Sequence, residues 1–227
     1  MKNKIQIEIR ASEGGNDSKL LVEDLMNIYI RTCKNNDLIW RVDEIRDGFA
    51  SIRIDGNNVN EIFNNESGSH CFVRVPPTEK NGRTQTSFVT VAVMNTQSSP
   101  TFTINNTEIR KSYIRSSKKG GQNVNKVSSC VQLTHIPTGI QVKVQDTRDQ
   151  YKNEQIAYQR LIDKLKSIHM DKYEEDIRNY RNNQIGDNGR GFKKRTYRLK
   201  DDIIIDHETG KTCRWKDILK GKIELLK

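Results

Sequence analysis

Apolar and polar residues alternate strictly at the start of the chain. Ile5, Ile7 and Ile9 interleave with Gln6, Glu8 and Arg10, the period of a half-buried strand. Gly14-Gly15-Asn16-Asp17-Ser18 then supplies a glycine turn with candidate helix caps. Leu21, Leu25, Ile28 and Tyr29 recur at helical spacing, which predicts an amphipathic helix over 17–33. Strand-like runs at 39–45 and 49–54 flank Gly48, a predicted hairpin. A short helix is predicted over 59–64. Strands follow at 70–75 and 87–94, around a polar loop at 76–86, and residues 95–107 read as an Asn-, Thr- and Ser-rich connector.

The pattern then restarts. Residues 108–116 read as a strand, and Ser116-Ser117-Lys118-Lys119-Gly120-Gly121-Gln122-Asn123 as a polar loop. Val127, Ser129, Val131 and Leu133 fall on one face of a second strand. After the turn Pro137-Thr138-Gly139, Ile140, Val142 and Val144 alternate on a third. Leu161, Leu165 and Ile168 mark a long helix from about 150 to 180. Residues 182–196, with Gly186, Gly189 and Gly191, read as a flexible joint. A strand near 203–205, a turn at Glu208-Thr209-Gly210 and a short helix near 215–219 complete the pattern.

Composition narrows the function classes. No apolar run in the 227 residues approaches the ~18 that a membrane-spanning helix needs, and no signal-peptide pattern opens the chain. Cys33, Cys71, Cys130 and Cys213 lack C-x-x-C spacing, and with His70, His135, His169 and His207 they form no zinc pattern. Reduced thiols, no metal and no organic cofactor are therefore expected. The 39 Lys+Arg against 29 Asp+Glu leave a net charge of +10, which points to a polyanion, with a merely solvated basic surface as the alternative. The surplus is concentrated. Arg110, Lys111, Arg115, Lys118, Lys119 and Lys126 form one cluster without an acidic residue; Arg190, Lys193, Lys194, Arg195, Arg198 and Lys200 form another. Each surrounds glycines in a predicted loop, where backbone can approach phosphates closely. Two such clusters on different units favour a large folded nucleic acid.

Gly120-Gly121-Gln122 alone is a weak signal. Its context is specific: Arg115 to Asn125, then Leu133-Thr134-His135-Ile136-Pro137-Thr138-Gly139-Ile140, then Gln145-Asp146-Thr147-Arg148-Asp149-Gln150-Tyr151-Lys152-Asn153. These runs closely resemble the catalytic domain of class I bacterial-type peptide chain release factors, which enter the ribosomal A site and hydrolyse peptidyl-tRNA. The resemblance extends through Glu8-Ile9-Arg10-Ala11 with Gly14-Gly15, Glu66 to His70, Arg74 to Glu79, Gly82-Arg83, Thr86-Ser87, Arg195-Thr196-Tyr197 and the tail from Asp206 to Gly221. The family's N-terminal helical domain has no counterpart in this sequence. That short form resembles the release-factor-H-like group and phage or accessory versions.

The resemblance implies an α+β fold with two lobes. Residues 1–107 would form a codon-recognition lobe, onto which 182–227 packs back. Residues 108–181 would be the inserted peptidyl-tRNA hydrolysis domain. It implies catalytic roles for Gly120, Gly121 and Gln122, with Gln122 a substrate for a glutamine N-methyltransferase. A neutral amide suits a water nucleophile in a site where a charged base would be costly to bury. The family's glutamine N–H stabilises the developing oxyanion or leaving oxygen, and the glycines admit a backbone a side chain would block. Arg115, Lys118, Lys119, Lys126, Arg148 and Lys152 would contact ribosomal RNA. The implied partners are the ribosome, the mRNA stop codon and the P-site peptidyl-tRNA, and the expected state is a cytoplasmic monomer with no membrane contact.

Codon reading follows from the same resemblance. Pro76-Pro77-Thr78 stands where UAA/UAG-reading factors carry P-x-T, whose threonine hydroxyl selects adenine at the second position. Gly14 and Asp17 occupy helix-tip positions of first-base readers, with Asp17 replacing the usual glutamate. Val73 replaces a glutamine of UAG-capable factors and resembles the UGA-reading class. Gln85 replaces a stacking histidine, while Thr86, tied to the third base, is retained. This mixture favours UAA, with UAG weaker and UGA poor. Arg190 stands where some members carry a tryptophan in the joint that switches on decoding. The altered readers also keep open a ribosome-rescue role with relaxed codon need. Glu224 in the tail argues against rescue through a basic tail, and the intact Gly120-Gly121-Gln122 argues against a non-catalytic RNA-binding protein.

Overall fold

The computed structural model describes residues 3–96, 104–116, 126–185 and 193–227. The fold is mixed α+β, and the chain divides into two compact units: Met1–Ser98 with Arg178–Lys227, and Ser99–Ile177.

The first unit is built on β1 (Asn3–Ala11), β2 (Ile39–Arg46), β3 (Phe49–Gly56), β4 (Gly68–Arg74), β5 (Gln85–Asn95), β9 (Arg195–Arg198), β10 (Ile203–Asp206) and β11 (Thr212–Arg214). They form one sheet of eight strands, ordered β11-β10-β9-β4-β5-β1-β3-β2. Every pairing is antiparallel except β4 with β9. Helix α1 (Asn16–Asn35) covers one face. The opening alternation explains why: Ile5, Ile7 and Ile9 are wholly buried beside Ile52, Ile54, Val89 and Val91, against Leu21, Leu25, Ile28 and Tyr29 of α1. Each such side chain contributes roughly 1.5–3 kcal/mol on burial. Helix α2 (Val59–Phe63) adds Val59 and Phe63 to this core.

The C-terminal segment closes the core from below α1. Ile218 of α4 (Trp215–Leu219), Ile223 and Leu226 are buried in it. Arg31 donates to the Leu219 carbonyl and Asn35 to that of Lys220. Gly221 has φ +82°, and a Cβ there would lie 2.6 Å from the Thr32 nitrogen, so the approach requires glycine. At the outer edge, β2 breaks register between Val42 and Glu44 and carries Arg41, Asp43, Glu44 and Arg46, features that discourage further strand pairing.

The second unit is smaller. Strands β6 (Ile109–Ile114), β7 (Cys130–His135) and β8 (Gln141–Val144) form an antiparallel sheet in that order. Ala157, Leu161 and Leu165 of α3 (Gln150–Ile185), spaced four apart, pack against Ile109, Val131, Leu133 and Val144. The unit boundary falls within α3, after Ile177. Beyond it, Gln184 exchanges both amide hydrogen bonds with the Val93 backbone (2.8 and 2.7 Å). Strand β4 begins at Gly68, opposite Val91, so the edge of β5 beyond Val91 would otherwise be unpaired there.

Several expectations are corrected. Strand β7 begins at Cys130, and Val127 is exposed rather than on its buried face. Of the predicted joint 182–196, residues 182–185 belong to the end of α3 and 195–196 to the start of β9, while 186–192 lie outside the described residues. Strands β9 and β11 carry no apolar alternation in sequence and were not predicted. Cys33, Cys71 and Cys130 are buried, Cys213 is half-buried, and all four are free. Burial pushes the Cys33 thiol up to about 12. Among the described residues no helix is long and apolar enough to cross a membrane, and no group of His, Cys, Asp or Glu could hold a metal.

Candidate nucleic-acid interface

The tip of α1 and the adjoining ends of β4 and β5 meet at one place. Gly14 has φ +124°, and a Cβ on it would fall 2.5 Å from Ser87 Oγ and 2.8 Å from Ser87 Cα. Only glycine fits this backbone against β5. The Phe88 N–H donates to the Glu13 carbonyl at 2.6 Å, locking the tip to the strand.

Asp17 is buried under this tip. Its Oδ1 accepts from Arg74 Nε and Nη2 (2.9 and 2.7 Å), and its Oδ2 accepts from Ser87 Oγ (2.7 Å). Arg74 also reaches Asp24 (3.0 Å). The carboxylate is thus fully engaged in holding the tip, and the exposed surface there belongs to residues 12–16. Pro76 is buried, whereas Pro77 and Thr78 are exposed on the loop joining β4 to β5. Gln85 is exposed but donates to Glu79 (2.8 Å), which itself accepts from the Asn81 N–H (2.9 Å). Its amide therefore braces this loop.

Behind the tip, on the sheet face opposite α1, lies a recess of about 500 Å³. Its walls include Val73 of β4, Thr84 and Thr86 beside and on β5, and Thr196 and Arg198 of β9, with Lys193, Lys200 and His207 around them. Val73 is the register partner of both Thr86 and Arg198. These three residues therefore form one row across adjacent strands. Thr196 Oγ1 and His207 Nε2 are 2.8 Å apart.

The opposite face of the same strands carries a buried polar cluster. Arg195 donates to Asp206 (2.8 Å) and to Glu66 (2.6 Å), and Tyr29 OH donates to Glu66 (3.1 Å). All three charged residues are essentially inaccessible. Arg195, expected in a basic cluster open to a polyanion, is instead the counterion of two buried carboxylates. Tyr197 stacks on Phe72 at 4.2 Å, with Trp215 edge-on to both rings. The motif runs around Glu66, Arg195 and Asp206, distant in sequence, are thus joined at one buried node that fixes β4, β9 and β10.

In the second unit Arg115, Lys126, Arg148 and Lys152 are all exposed. Lys111 instead pairs with Glu154 at 2.6 Å, an interaction that raises the lysine and lowers the carboxyl. Gly120, Gly121, Gln122, Lys118, Lys119 and Arg190 lie outside the described residues. Asn153, quoted above only as the end of a run, is wholly buried and uses its whole amide. It donates to the carbonyls of Ser129 and Thr147 (both 2.8 Å) and accepts from the Thr147 N–H and hydroxyl (2.9 and 3.0 Å). Its place one turn before Ala157, on the buried stripe of α3, was the available signal.

A family model described as the PCRF domain matches residues 1–91, and one described as the RF-1 domain matches residues 97–208. Peptide chain release factor 1 of Acetivibrio thermocellus is 36% identical over 233 residues, covering 98% of this chain and 64% of that protein. Peptide chain release factor 1 of Ureaplasma parvum serovar 3 is 35% identical, with the same coverages of 98% and 64%. The chain therefore spans about 64% of the length of these curated relatives. Among solved structures, RF2 of Thermus thermophilus matches with a TM-score of 0.56 and 29% identity, over 99% of this chain and 66% of that one.

Proposed function

The chain belongs to the class I peptide chain release factor family, and from that premise we propose that it enters the ribosomal A site, reads a stop codon and promotes hydrolysis of peptidyl-tRNA. The observation that carries this reading is convergence. Gly14 at the tip of α1 meets the hairpin that carries Val73, Thr78, Gln85 and Thr86 at one end of the sheet, beside a recess whose lining includes hydroxyls, cations and Asp201. UAA is the favoured codon, with UAG also read. The Thr78 and Thr86 hydroxyls can discriminate base edges, while Val73 offers no hydrogen bond. Asp17 acts by fixing the tip rather than by touching a base.

Residues 1–107 and 182–227 serve codon recognition, residues 108–181 serve hydrolysis, and the joint containing Arg190 permits their reorientation on the ribosome. Arg115, Lys118, Lys119, Lys126, Arg148 and Lys152 hold ribosomal RNA. In the peptidyl-transferase centre, water attacks the ester carbonyl, the bond to the tRNA 3′-oxygen breaks, and a free carboxyl and a 3′-hydroxyl result. The Gln122 N–H stabilises the charge that develops on oxygen. No cofactor or metal takes part. Gln122 is the methylation site for a glutamine methyltransferase, and the factor works in the cytoplasm as a monomer. Rescue of stalled ribosomes is the second reading, favoured by the Gln85 and Val73 departures from the usual readers.

Release of labelled peptide from ribosomes with stop, sense or empty A sites tests the proposal. Stop-dependent release is expected, and Gly121→Ala should lower it about 100-fold or more while ribosome binding persists; Gln122→Ala, which keeps an N–H, should be milder. Equal release on sense or empty sites would replace termination by rescue. No release under any condition would end both readings.

A further inference from the structure

We infer that Arg198 is a base-reading residue that admits guanine at the third codon position. The inference rests on the stop-codon reading proposed above and names a residue that the sequence patterns left unassigned. Strand β9 presents Arg195 and Tyr197 to the buried node and, by alternation, Thr196 and Arg198 to the recess. Arg198 is the register partner of Val73, which is the partner of Thr86. The row therefore runs hydroxyl, apolar surface, guanidinium, over the width of three strands spaced about 4.8 Å apart. The outer two strands are about 9.6 Å apart, wide enough for a base to lie over Val73 with Thr86 on one side and Arg198 on the other.

The chemistry of the row is asymmetric. Val73 can pack on a base but cannot hydrogen-bond to it. Thr86 can donate or accept, and so tolerates either purine. Arg198 is exposed and enters no ion pair among the described residues, in contrast with Arg74 and Arg195, whose forks are committed to carboxylates. A guanidinium fork matches the paired acceptors N7 and O6 of guanine. Adenine offers it N7 alone and sets an amino group where O6 would be. Lys193 and Lys200, also around the recess, are point charges suited to the flanking phosphates and lack a planar fork. Among the recess side chains, Arg198 is thus the one with a fork that separates G from A.

The test measures release rates of the full chain on UAA, UAG and UGA for wild type, Arg198→Ala and Arg198→Lys, with thermal melting as a fold control. Arg198→Ala should lower the UAG:UAA ratio roughly 5- to 100-fold. Release on UAA should also fall, but less, because one bond to N7 is lost. Arg198→Lys keeps the charge without the fork and should recover overall rate more than the codon ratio. An unchanged UAG:UAA ratio, with or without a uniform loss of rate, overturns the assignment; a uniform loss would make Arg198 a phosphate contact. Wild type showing no stop-codon dependence would instead overturn the underlying reading, which the variants do not test.

Discussion

His70 shows how one buried side chain ties acidity to stability. Its Nε2 lies 2.9 Å from the Glu66 carbonyl, which can only accept, so Nε2 carries the proton. Nδ1 then accepts from Tyr197 OH at 2.8 Å. The second bond requires the neutral ring, because a protonated Nδ1 can no longer accept. Burial, with Arg195 close by, lowers its pKa from the usual 6.5 to about 4. Glu66 opposes that shift and Lys194 adds to it. The depressed value fixes the sign: the stabilisation is complete above about pH 6.5 and is lost as pH falls through 4. The difference is worth roughly 3 kcal/mol. Urea unfolding should show constant stability between pH 8 and 7 and a decline between 6.5 and 4.5 that His70→Asn largely removes. The same slope in that variant would assign the decline to other groups.

Among the elements, α3 and β9 show most clearly what a pattern of apolar positions conveys. The stripe 157, 161, 165 announces a packed helix because apolar burial is periodic. Asn153 extends the stripe one turn further, where polarity in place of a Leu looks like the end of the packed face. In fact its amide joins the turn before α3 to the backbone at Ser129, just ahead of β7. Asn153→Ala should cost about 2–3 kcal/mol by stranding buried carbonyls, and Asn153→Asp, which has lost both donors, should be no better. Denaturant midpoints of the two variants decide this; a well-tolerated Asp would mean that shape alone matters. The sheet next to α1 was legible because its strands bury one apolar face. Strand β9 was hidden because it is central yet reads Arg-Thr-Tyr-Arg, its burial sustained by ion pairs whose partners lie 129 and 11 residues away. Asp17 likewise looked like a surface reader, since its guanidinium partner comes from β4, 57 residues on.

For the whole molecule, the 39 basic side chains have to be sorted into internally paired and outward-facing ones before they are assigned to a partner. Arg195 is neutralised in the core, Arg74 by Asp17 and Asp24, and Lys111 by Glu154. What remains outward includes Arg115, Lys126, Arg148 and Lys152 on one unit and Arg198 and Lys200 on the other. Affinity for ribosomes should therefore drop steeply with monovalent salt at fixed magnesium, by about 100-fold or more between 50 and 200 mM. Affinity that is flat across this range would argue against a phosphate-dominated interface. Thread order has its own effect, through the parallel β4–β9 pair. Strand β10 and β11 dock only through β9, and Ile218, Ile223 and Leu226 sit under α1. A nascent polypeptide halted at residue 180 has made β1 to β5 but nothing to lay beside β4, and must wait with that edge open. The inserted unit, contiguous in the message, is free to fold during the pause. Vectorial synthesis thus lets the unit Ser99–Ile177 assemble first and withholds the last strands of the larger unit until residues 195–214 have been made.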